Sequence, residues 1–245
     1  MKPCVAIPIY DHGETIENVV GALAHLGLPC VVVDDGSKQP TRSVLSRLAR
    51  RHSFVTLLRH AQNRGRGAAL KTAYGWAGAQ EMTHIVQVDA DGQHRVEDIP
   101  KFLDAAALQP DALILGDPVF DESAPRIRLY GRQLSRAIVW IETLSTSVSD
   151  PLCGFRCIPL APTLKTLSRF EMGDHMDFDP ELVIRLVRAS VPVVNLPTQV
   201  QYPEDGISHF HMVKDNLRLA SAYIRLALEF PIGRFFNAHR TESAP

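Results

Sequence analysis

Two aspartates that lie one residue apart are the strongest chemical signal in the sequence. Asp89 and Asp91 follow the largely apolar stretch 85–88, which predicts a buried strand, and Gly92 turns the chain directly after them. The carboxyl ends of strands in an open α/β sheet face the ligand crevice, so both carboxylates should project towards a ligand. Their oxygens suit Mg²⁺ or Mn²⁺, which keeps several waters and is shared with substrate phosphates. The pair therefore indicates a divalent metal ion that binds a phosphate ester, and the alternative is that both aspartates are ordinary turn residues at a strand end.

A glycine-rich segment upstream of the aspartates is the second candidate for phosphate binding. Arg64, Gly65, Arg66 and Gly67 precede an alanine-rich stretch, 68–79, that predicts a helix. Glycines at a helix start let backbone N–H groups approach a phosphate, and the two arginines can add positive charge. The alternative is a loop whose arginines are simply solvated.

Five motifs follow one another along the chain, namely Pro8-x-Tyr10, Val33-Asp34-Asp35-Gly36-Ser37, Asn63-Arg64-Gly65-Arg66-Gly67, Asp89-Ala90-Asp91-Gly92-Gln93 and Cys153-Gly154-Phe155-Arg156. In this order they resemble the motifs of the family 2 glycosyltransferases, and most closely those of the dolichyl-phosphate and polyprenyl-phosphate sugar synthases. The resemblance covers residues 1–210 and implies the GT-A fold. It also implies inverting, metal-dependent transfer of a glycosyl group from a nucleotide-diphosphate sugar to an acceptor, which we expect to be lipid-linked or acylated.

The motif positions predict the donor side of the site. The resemblance implies that Asp35 contacts the base or the ribose, and that Gln93 assists the two aspartates at the Mg²⁺ or Mn²⁺ ion. The predicted metal ligands are Asp89, Asp91 and Gln93. The predicted nucleotide-binding residues are Pro8, Tyr10, Glu14, Asp35, Arg64, Gly65, Gly67 and Asp89.

The catalytic candidates on the acceptor side are Asp150 and Arg156. An inverting displacement at a hydroxyl acceptor needs a general base opposite the leaving group, and Asp150 is our candidate. Arg156 would help to stabilise the leaving diphosphate. A loop-capping role for Asp150 is the alternative, and a phosphate acceptor would need no base. Asp177 or Asp179 could also serve as the base, although Asp179-Pro180 is typical of a helix N-cap.

Further acceptor-side candidates are Arg132, Tyr202, Ser208 and His209. The polyprenol-phosphate branch tends to have an arginine and a lysine at the positions of Pro203 and His209. Two positive charges that would face a phosphate acceptor are thus absent, which favours a different acceptor.

Two other classes of protein share parts of this pattern. A nucleotidyltransferase also uses metal-bound carboxylates and a glycine-rich loop, but that loop would normally follow the first strand, where this chain has 9–12. A non-catalytic nucleotide-sugar binding protein is the second alternative, and the presence of Asp89, Asp91 and Arg156 argues against it.

The elements that must position these residues alternate between strand and helix. This alternation predicts an α/β fold with a Rossmann-like, mostly parallel central sheet flanked by helices. The predicted strands lie near 5–9, 30–33, 54–58, 85–88, 112–115 and 191–196, and the segment 149–156 is predicted to be a loop. The predicted domain is 1–210, with a nucleotide-sugar half, 1–116, and an acceptor half, 117–210.

A C-terminal amphipathic helix, 211–236, is predicted to follow the domain, with a disordered tail at 237–245. Its apolar residues recur at spacings of three and four, with Leu219, Tyr223 and Leu226 widening the apolar side, and its cations share a separate face. Such a helix could lie on an anionic membrane, and the alternative is that it packs on the catalytic domain. The recurring apolar residues are Val213, Leu217, Ala220, Ile224 and Ala227.

The composition of the chain narrows the classes of protein that remain. The chain has 245 residues, a net charge of −1 and four cysteines. This charge argues against a general nucleic-acid binder. Because no secretory signal or membrane-spanning apolar run is evident, we expect a cytoplasmic protein with reduced thiols, peripheral at most on the inner face of the membrane.

Overall fold

The structure, a computed structural model, describes residues 1–120, 126–200 and 212–229. Seven strands form one sheet in the order β3-β2-β1-β4-β6-β5-β7. β6 runs antiparallel to both of its neighbours, and the other pairs are parallel. The prediction of a mostly parallel α/β sheet is therefore confirmed. The strands are β1 (Pro3–Ile9), β2 (Cys30–Asp34), β3 (Val55–Arg59), β4 (His84–Gln87), β5 (Leu113–Phe120), β6 (Arg156–Pro159) and β7 (Val193–Val200).

Helices cover both faces of this sheet. Alternate residues of β1 point to opposite sides, with Val5 and Ile7 in one hydrophobic core and Cys4 and Ala6 in the other. A sheet buried on both faces is what parallel strands joined by helices require. The helices are α1 (Ile16–Leu23), α2 (Thr41–Arg51), α3 (Arg66–Ala79), α4 (Ile99–Leu108), α5 (Arg126–Thr143), α6 (Leu160–Arg169), α7 (Phe178–Arg188) and α8 (Met212–Glu229).

The strand β6 differs from the sequence-based expectation of a loop that extends through Arg156. Its four residues begin with an arginine and end with a proline, so they lack the apolar alternation that predicts a strand. Because β6 is antiparallel to β4, Arg156 pairs with Gln87 at the carboxyl end of β4. The preceding segment, 150–155, is therefore delivered to the edge of the sheet where Asp89 emerges.

The predicted boundary between the two halves, at 116/117, falls inside β5. β5 pairs with β7 along its whole length and with β6 at Ile114 and Leu115. Both halves are therefore built on one continuous sheet.

The C-terminal helix α8 presents two different apolar rows. Leu219, Tyr223 and Leu226 are buried in the core that also contains Val139 of α5. This side of the helix therefore packs on the domain, which was the alternative to a membrane contact. A second row remains exposed, and it includes Val213, Leu217, Ile224 and Leu228. The end of the predicted helix and the predicted tail lie beyond residue 229, outside the described residues.

In the described part of the chain, no helix combines the length and apolar character needed to cross a membrane. The four cysteines are buried free thiols, and burial raises the pKa of Cys153 to about 12.

A buried carboxylate joins α7 to α8. Glu181 is 0% exposed, and one of its oxygens accepts hydrogen bonds from Arg185 at 3.0 and 2.8 Å. The other oxygen accepts hydrogen bonds from Arg225 of α8 at 2.5 Å and from the backbone N–H of Gly173 at 3.2 Å. Arg185 also pairs with Glu229, whose side chain is 38% exposed.

We predict that Glu181→Gln lowers the free energy of unfolding by about 3 kcal/mol, because two guanidiniums lose their buried counter-charge. The matched control is Glu229→Gln, which removes an exposed partner of the same arginine and should cost at most about 1 kcal/mol. Urea unfolding of both variants measures the difference. Equal losses would contradict the view that Glu181 anchors α8.

Candidate active site

Asp89 and Asp91 lie just beyond the carboxyl end of β4, near the middle of the sheet. The side chain of Asp89 is 24% exposed, and Asp91 is half-buried. Gly92 has a positive φ of 73°, and the N–H of Gln93 donates to Oδ1 of Asp91 at 3.0 Å. This tight turn holds the predicted metal ligands together at the carboxyl end of β4.

The two carboxylates influence each other's ionisation. Burial and the negative charge of Asp89 raise the pKa of Asp91. Burial would also raise the pKa of Asp89, but the charge of Arg66 and the contact with His94 outweigh it and lower that pKa. The site thus concentrates negative charge on hard oxygen donors, which fits a divalent cation such as Mn²⁺ or Mg²⁺.

No group of three or more His, Cys, Asp and Glu side chains within the described ranges is arranged to hold a metal ion. Two carboxylates fit an ion that takes its other ligands from water and from a bound phosphate. These residues therefore suit a metal ion that is shared with a bound phosphate, and not one that is enclosed by protein ligands alone.

His94 supports Asp89 from the side. Its ring stacks on Phe155 with centroids 5.4 Å apart, and its Nε2 lies 3.4 Å from Oδ2 of Asp89. Its buried Nδ1 has no hydrogen-bond partner among the described residues. The backbone of Gly154 is also close, because a Cβ there would lie 2.3 Å from the same Asp89 oxygen. A side chain at position 154 would therefore displace the carboxylate of Asp89 from its present position.

Arg66 makes an unexpected contact with the predicted metal ligand. One of its terminal nitrogens lies 2.5 Å from Oδ1 of Asp89, and the other donates to Asp179. Asp179 also accepts a hydrogen bond from the amide of Gln87 at 3.2 Å. Arg66 and Asp179 are 113 positions apart, so nothing in the local sequence predicts this pair.

The structure gives Arg156 a different environment from the one predicted. Its side chain is 0% exposed, and its guanidinium donates to the carbonyl oxygens of Pro151, Cys153 and Asp179. It also lies 3.4 Å from a carboxylate oxygen of Asp179. The prediction that Arg156 faces a leaving diphosphate does not agree with this burial, and its contacts hold the 150–155 segment in place.

A family model described as glycosyl transferase family 2 matches residues 4–157 of the chain. The chain belongs to glycosyl transferase family 2. It is accordingly a glycosyltransferase, as the motifs indicated, and not a nucleotidyltransferase.

Relatives and solved structures agree with this assignment. An uncharacterized protein of Methanocaldococcus jannaschii is 26% identical over 226 residues, covering 89% of this chain and 96% of that protein. The polyprenol monophosphomannose synthase of Mycolicibacterium smegmatis is 31% identical over 116 residues, covering 46% of this chain and 44% of that protein. Glucosyl-3-phosphoglycerate synthase from Mycobacterium tuberculosis, in complex with Mn²⁺, UDP-glucose and glycerol 3-phosphate, superposes with a TM-score of 0.65 at 16% identity. That match covers 92% of this chain and 79% of the other, and it shows the GT-A fold alone.

In this family 2 enzyme the glycines at the start of α3 serve the packing of the chain. Gly65 is the N-cap residue of this helix, and Gly67 lies in its first turn. A Cβ on Gly65 would lie 2.3 Å from the ring of His175, and one on Gly67 would lie 2.5 Å from Phe178. The N–H of Ala68 donates to the carbonyl of Asp174 at 3.0 Å. The segment 173–178 therefore covers the start of α3, where the glycine pattern had suggested a phosphate. The side chain of the neighbouring residue, Arg64, is exposed.

The carboxylate of Asp35 in this glycosyltransferase is likewise occupied by contacts within the protein. It is buried, and its oxygens accept hydrogen bonds from the N–H groups of Arg64 at 3.0 Å and Gly65 at 2.7 Å. Nδ1 of His60 lies 2.6 Å from the same carboxylate. These contacts hold the glycine-rich loop and do not agree with the predicted contact to a base or ribose.

The other predicted donor residues lie at the end of β1. Pro8 is buried, Tyr10 is half-buried and Glu14 is exposed in the turn that leads to α1. Thr15 donates to the carbonyl of Ala90 at 2.5 Å, which ties this turn to the Asp89–Asp91 turn. The two turns therefore border the same edge of the sheet.

On the acceptor side, the structure brings Asp150 and Arg132 together. Their side chains form an ion pair at 2.6 Å, and Asp150 also accepts the N–H of Leu152 at 2.7 Å. The second contact is the loop-capping interaction that was the alternative to a catalytic base. Tyr202, Ser208 and His209 lie outside the described residues.

The start of α7 differs from the predicted cap. Asp177 is the N-cap residue of α7, so Asp179 lies in the first turn of the helix. Its carboxylate points to Arg66 and Arg156 instead of capping the helix.

We predict that Gly67→Ala destabilises the protein by about 2 kcal/mol, because the added methyl group would overlap Phe178 and the backbone of 173–174. The matched control is Gly75→Ala in the same helix, where the added Cβ meets nothing within 4 Å. That change should be neutral or stabilise by about 0.5–1 kcal/mol. Thermal unfolding distinguishes the two, and tolerance of Gly67→Ala would mean that 173–178 does not pack on α3.

Proposed function

We propose that this glycosyltransferase moves a sugar from a nucleotide-diphosphate donor to a lipid-linked or acylated acceptor by an inverting, metal-dependent displacement. The observation that carries the proposal is the pair of carboxylates at the carboxyl end of β4, beside the 150–155 segment that β6 delivers to the same edge. The Mn²⁺ and UDP-glucose bound by the mycobacterial synthase support a donor of this chemistry.

The proposed metal ligands are Asp89 and Asp91, with Gln93 beside them. A divalent ion there would stabilise the negative charge that develops on the leaving diphosphate. The chain itself keeps Asp89 ionised through Arg66 and His94, and keeps Asp91 in a tight turn through the Gln93 N–H. Tyr10 and Glu14 of the neighbouring turn are the proposed contacts to the nucleoside.

The acceptor would approach from the side of the 150–155 segment. Asp150 is our proposed base for a hydroxyl acceptor, held in position by Arg132 and by the N–H of Leu152. The relative that is named polyprenol monophosphomannose synthase supports a lipid-linked acceptor. The mycobacterial synthase, in contrast, binds the small molecule glycerol 3-phosphate. The surface of the domain favours the lipid-linked alternative.

That surface is unusually apolar on two helices. Eleven large hydrophobic side chains are exposed among the described residues, and eight of them lie on α8, on α5 or directly after α5. Both helices bury their other side in the same core, so these rows lie on the outside of one helical layer. The eight residues are Tyr130, Leu134, Ile141, Leu144, Val213, Leu217, Ile224 and Leu228.

The charge of these helices complements the apolar rows. α5 and α8 contain seven Arg and Lys and three acidic residues, a net charge of +4 within a chain whose total is −1. The remaining chain therefore carries −5. Basic helices with exposed apolar rows suit an anionic lipid surface, on which a lipid-linked acceptor would be presented to the site.

We predict that Asp89→Asn and Asp91→Asn each abolish Mn²⁺-dependent binding of a nucleotide-sugar and all sugar transfer, with the fold retained. The reason is that each change removes one negative charge from the proposed ion site. Calorimetric titration with UDP-glucose and GDP-mannose, with and without Mn²⁺, measures the effect. The control is Asp104→Asn, an exposed aspartate of α4.

Unchanged donor binding in chelator would contradict the metal-dependent proposal. Unchanged transfer by either Asp89→Asn or Asp91→Asn would also contradict it.

We further predict that the chain co-sediments with anionic vesicles in low salt and less so in high salt. Burial of a Leu or Ile contributes about 1.5 kcal/mol or more. The double variant Leu217→Gln with Ile224→Gln should therefore lower vesicle affinity at least about tenfold. The control is Leu108→Gln, which removes an apolar side chain that is 84% exposed on α4.

Failure of the intact chain to bind vesicles in low salt would overturn the membrane proposal. A phosphorylated acceptor in solution would then be the better substrate class, and transfer to glycerol 3-phosphate would identify it.

A further inference from the structure

The guanidinium of Arg66 places a positive charge beside the carboxylate of Asp89, where a bound metal cation would also lie. Its side chain is 15% exposed, and it bridges Asp89 of the proposed metal site and Asp179 of α7. One oxygen of Asp89 faces this guanidinium, and the other faces His94 and the backbone of Gly154. A metal ion that binds Asp89 must therefore share a carboxylate that already has a positive partner.

A metal ion would change the net charge of the side chains around Asp89. Asp89, Asp91 and Asp179 contribute three negative charges, and Arg66 and Arg156 contribute two positive charges, so these five side chains carry a net charge of −1. A divalent ion alone would change the net to +1 in a partly buried site. The diphosphate of a nucleotide brings the negative charge that restores the balance.

We propose that Arg66 is an internal counterion that competes with the divalent metal for Asp89, so that tight metal binding depends on the nucleotide diphosphate. The inference rests on the proposed function, because it assumes the metal and donor site described above. Without nucleotide, Arg66 repels the ion and holds one ligand oxygen. With nucleotide, the diphosphate offers Arg66 a new anionic partner and the ion gains full access to Asp89.

The geometry around Arg66 suits this exchange. The planar fork of a guanidinium can hold two carboxylates at once, so Arg66 can stay bound to Asp179 while it releases Asp89. Asp179 is itself fixed by Gln87 and Arg156, which gives the arginine a firm anchor on one side. Asp89 is the more exposed of its two partners.

A purely structural role for Arg66 would have the opposite effect on the metal. Partners that orient a ligating carboxylate increase metal affinity, so their removal weakens binding. Removal of a competing cation strengthens the binding of the metal alone. The sign of the change in affinity therefore distinguishes the two roles.

The test is titration of the full-length protein with Mn²⁺, followed by the electron paramagnetic resonance signal of the free ion, with and without UDP or GDP. In the wild-type protein we expect the nucleotide to tighten Mn²⁺ binding about tenfold or more. Arg66→Met should bind Mn²⁺ alone about threefold to tenfold more tightly than wild type and should lose most of the nucleotide effect. Arg66→Lys keeps the positive charge and should keep the coupling.

The control is Arg50→Met, an exposed arginine of α2, which should leave both affinities unchanged. Arg66→Gln serves as a second neutral variant if Arg66→Met fails to fold. Weaker binding of Mn²⁺ alone by the neutral variant, or an unchanged nucleotide effect, would overturn the inference while leaving the proposed function intact. Absence of Mn²⁺ binding by the wild-type protein even with nucleotide would overturn both.

Discussion

A chain of alternating charges at the carboxyl edge of the sheet connects the parts of this glycosyltransferase. Asp89 contacts Arg66, Arg66 contacts Asp179, and Asp179 contacts Arg156. These residues come from four different parts of the sequence, namely the turn after β4 and the starts of α3, α7 and β6. Because buried charges are costly unless they are paired, the four segments must meet in one arrangement. This requirement fixes the edge of the sheet where the proposed chemistry takes place.

The antiparallel strand β6 is what makes that meeting possible. It enters the sheet between β4 and β5 and pairs Arg156 with Gln87. The segment before it then passes Asp89, with Gly154 at the closest approach. A parallel strand at this position would place its preceding segment at the opposite edge of the sheet. The reversal of one short strand therefore brings the proposed acceptor side next to the proposed donor side.

The sequence predicted the features that depend on local pattern. Asp89 and Asp91 follow an apolar strand and precede a turn glycine, so their position at the sheet edge followed from neighbouring residues alone. The strand and helix alternation of the first half was equally local. The predictions that differ from the structure concern partners that lie far away in the sequence.

Three residues illustrate this difference. Asp35 was expected to meet the nucleotide, but it caps the glycine-rich loop, and the cap depends on a contact across 30 residues. Gly67 was expected to face a phosphate, but it faces Phe178. Arg156 was expected to stabilise the leaving diphosphate, but it is buried as the first residue of a strand that the sequence did not predict. In each case the residue type indicated a close or charged contact, and only the tertiary fold specifies the partner.

The central claim is that Asp89 and Asp91 hold a divalent ion on the diphosphate of the donor. The most direct measurement is anomalous X-ray diffraction at the manganese edge from crystals of this protein grown with Mn²⁺ and a nucleoside diphosphate. We predict one strong anomalous peak within coordination distance of Asp89 or Asp91 and of the diphosphate oxygens. A bound diphosphate at the carboxyl edge of β4 with no anomalous peak beside it, or a peak at another place in the fold, would contradict the account.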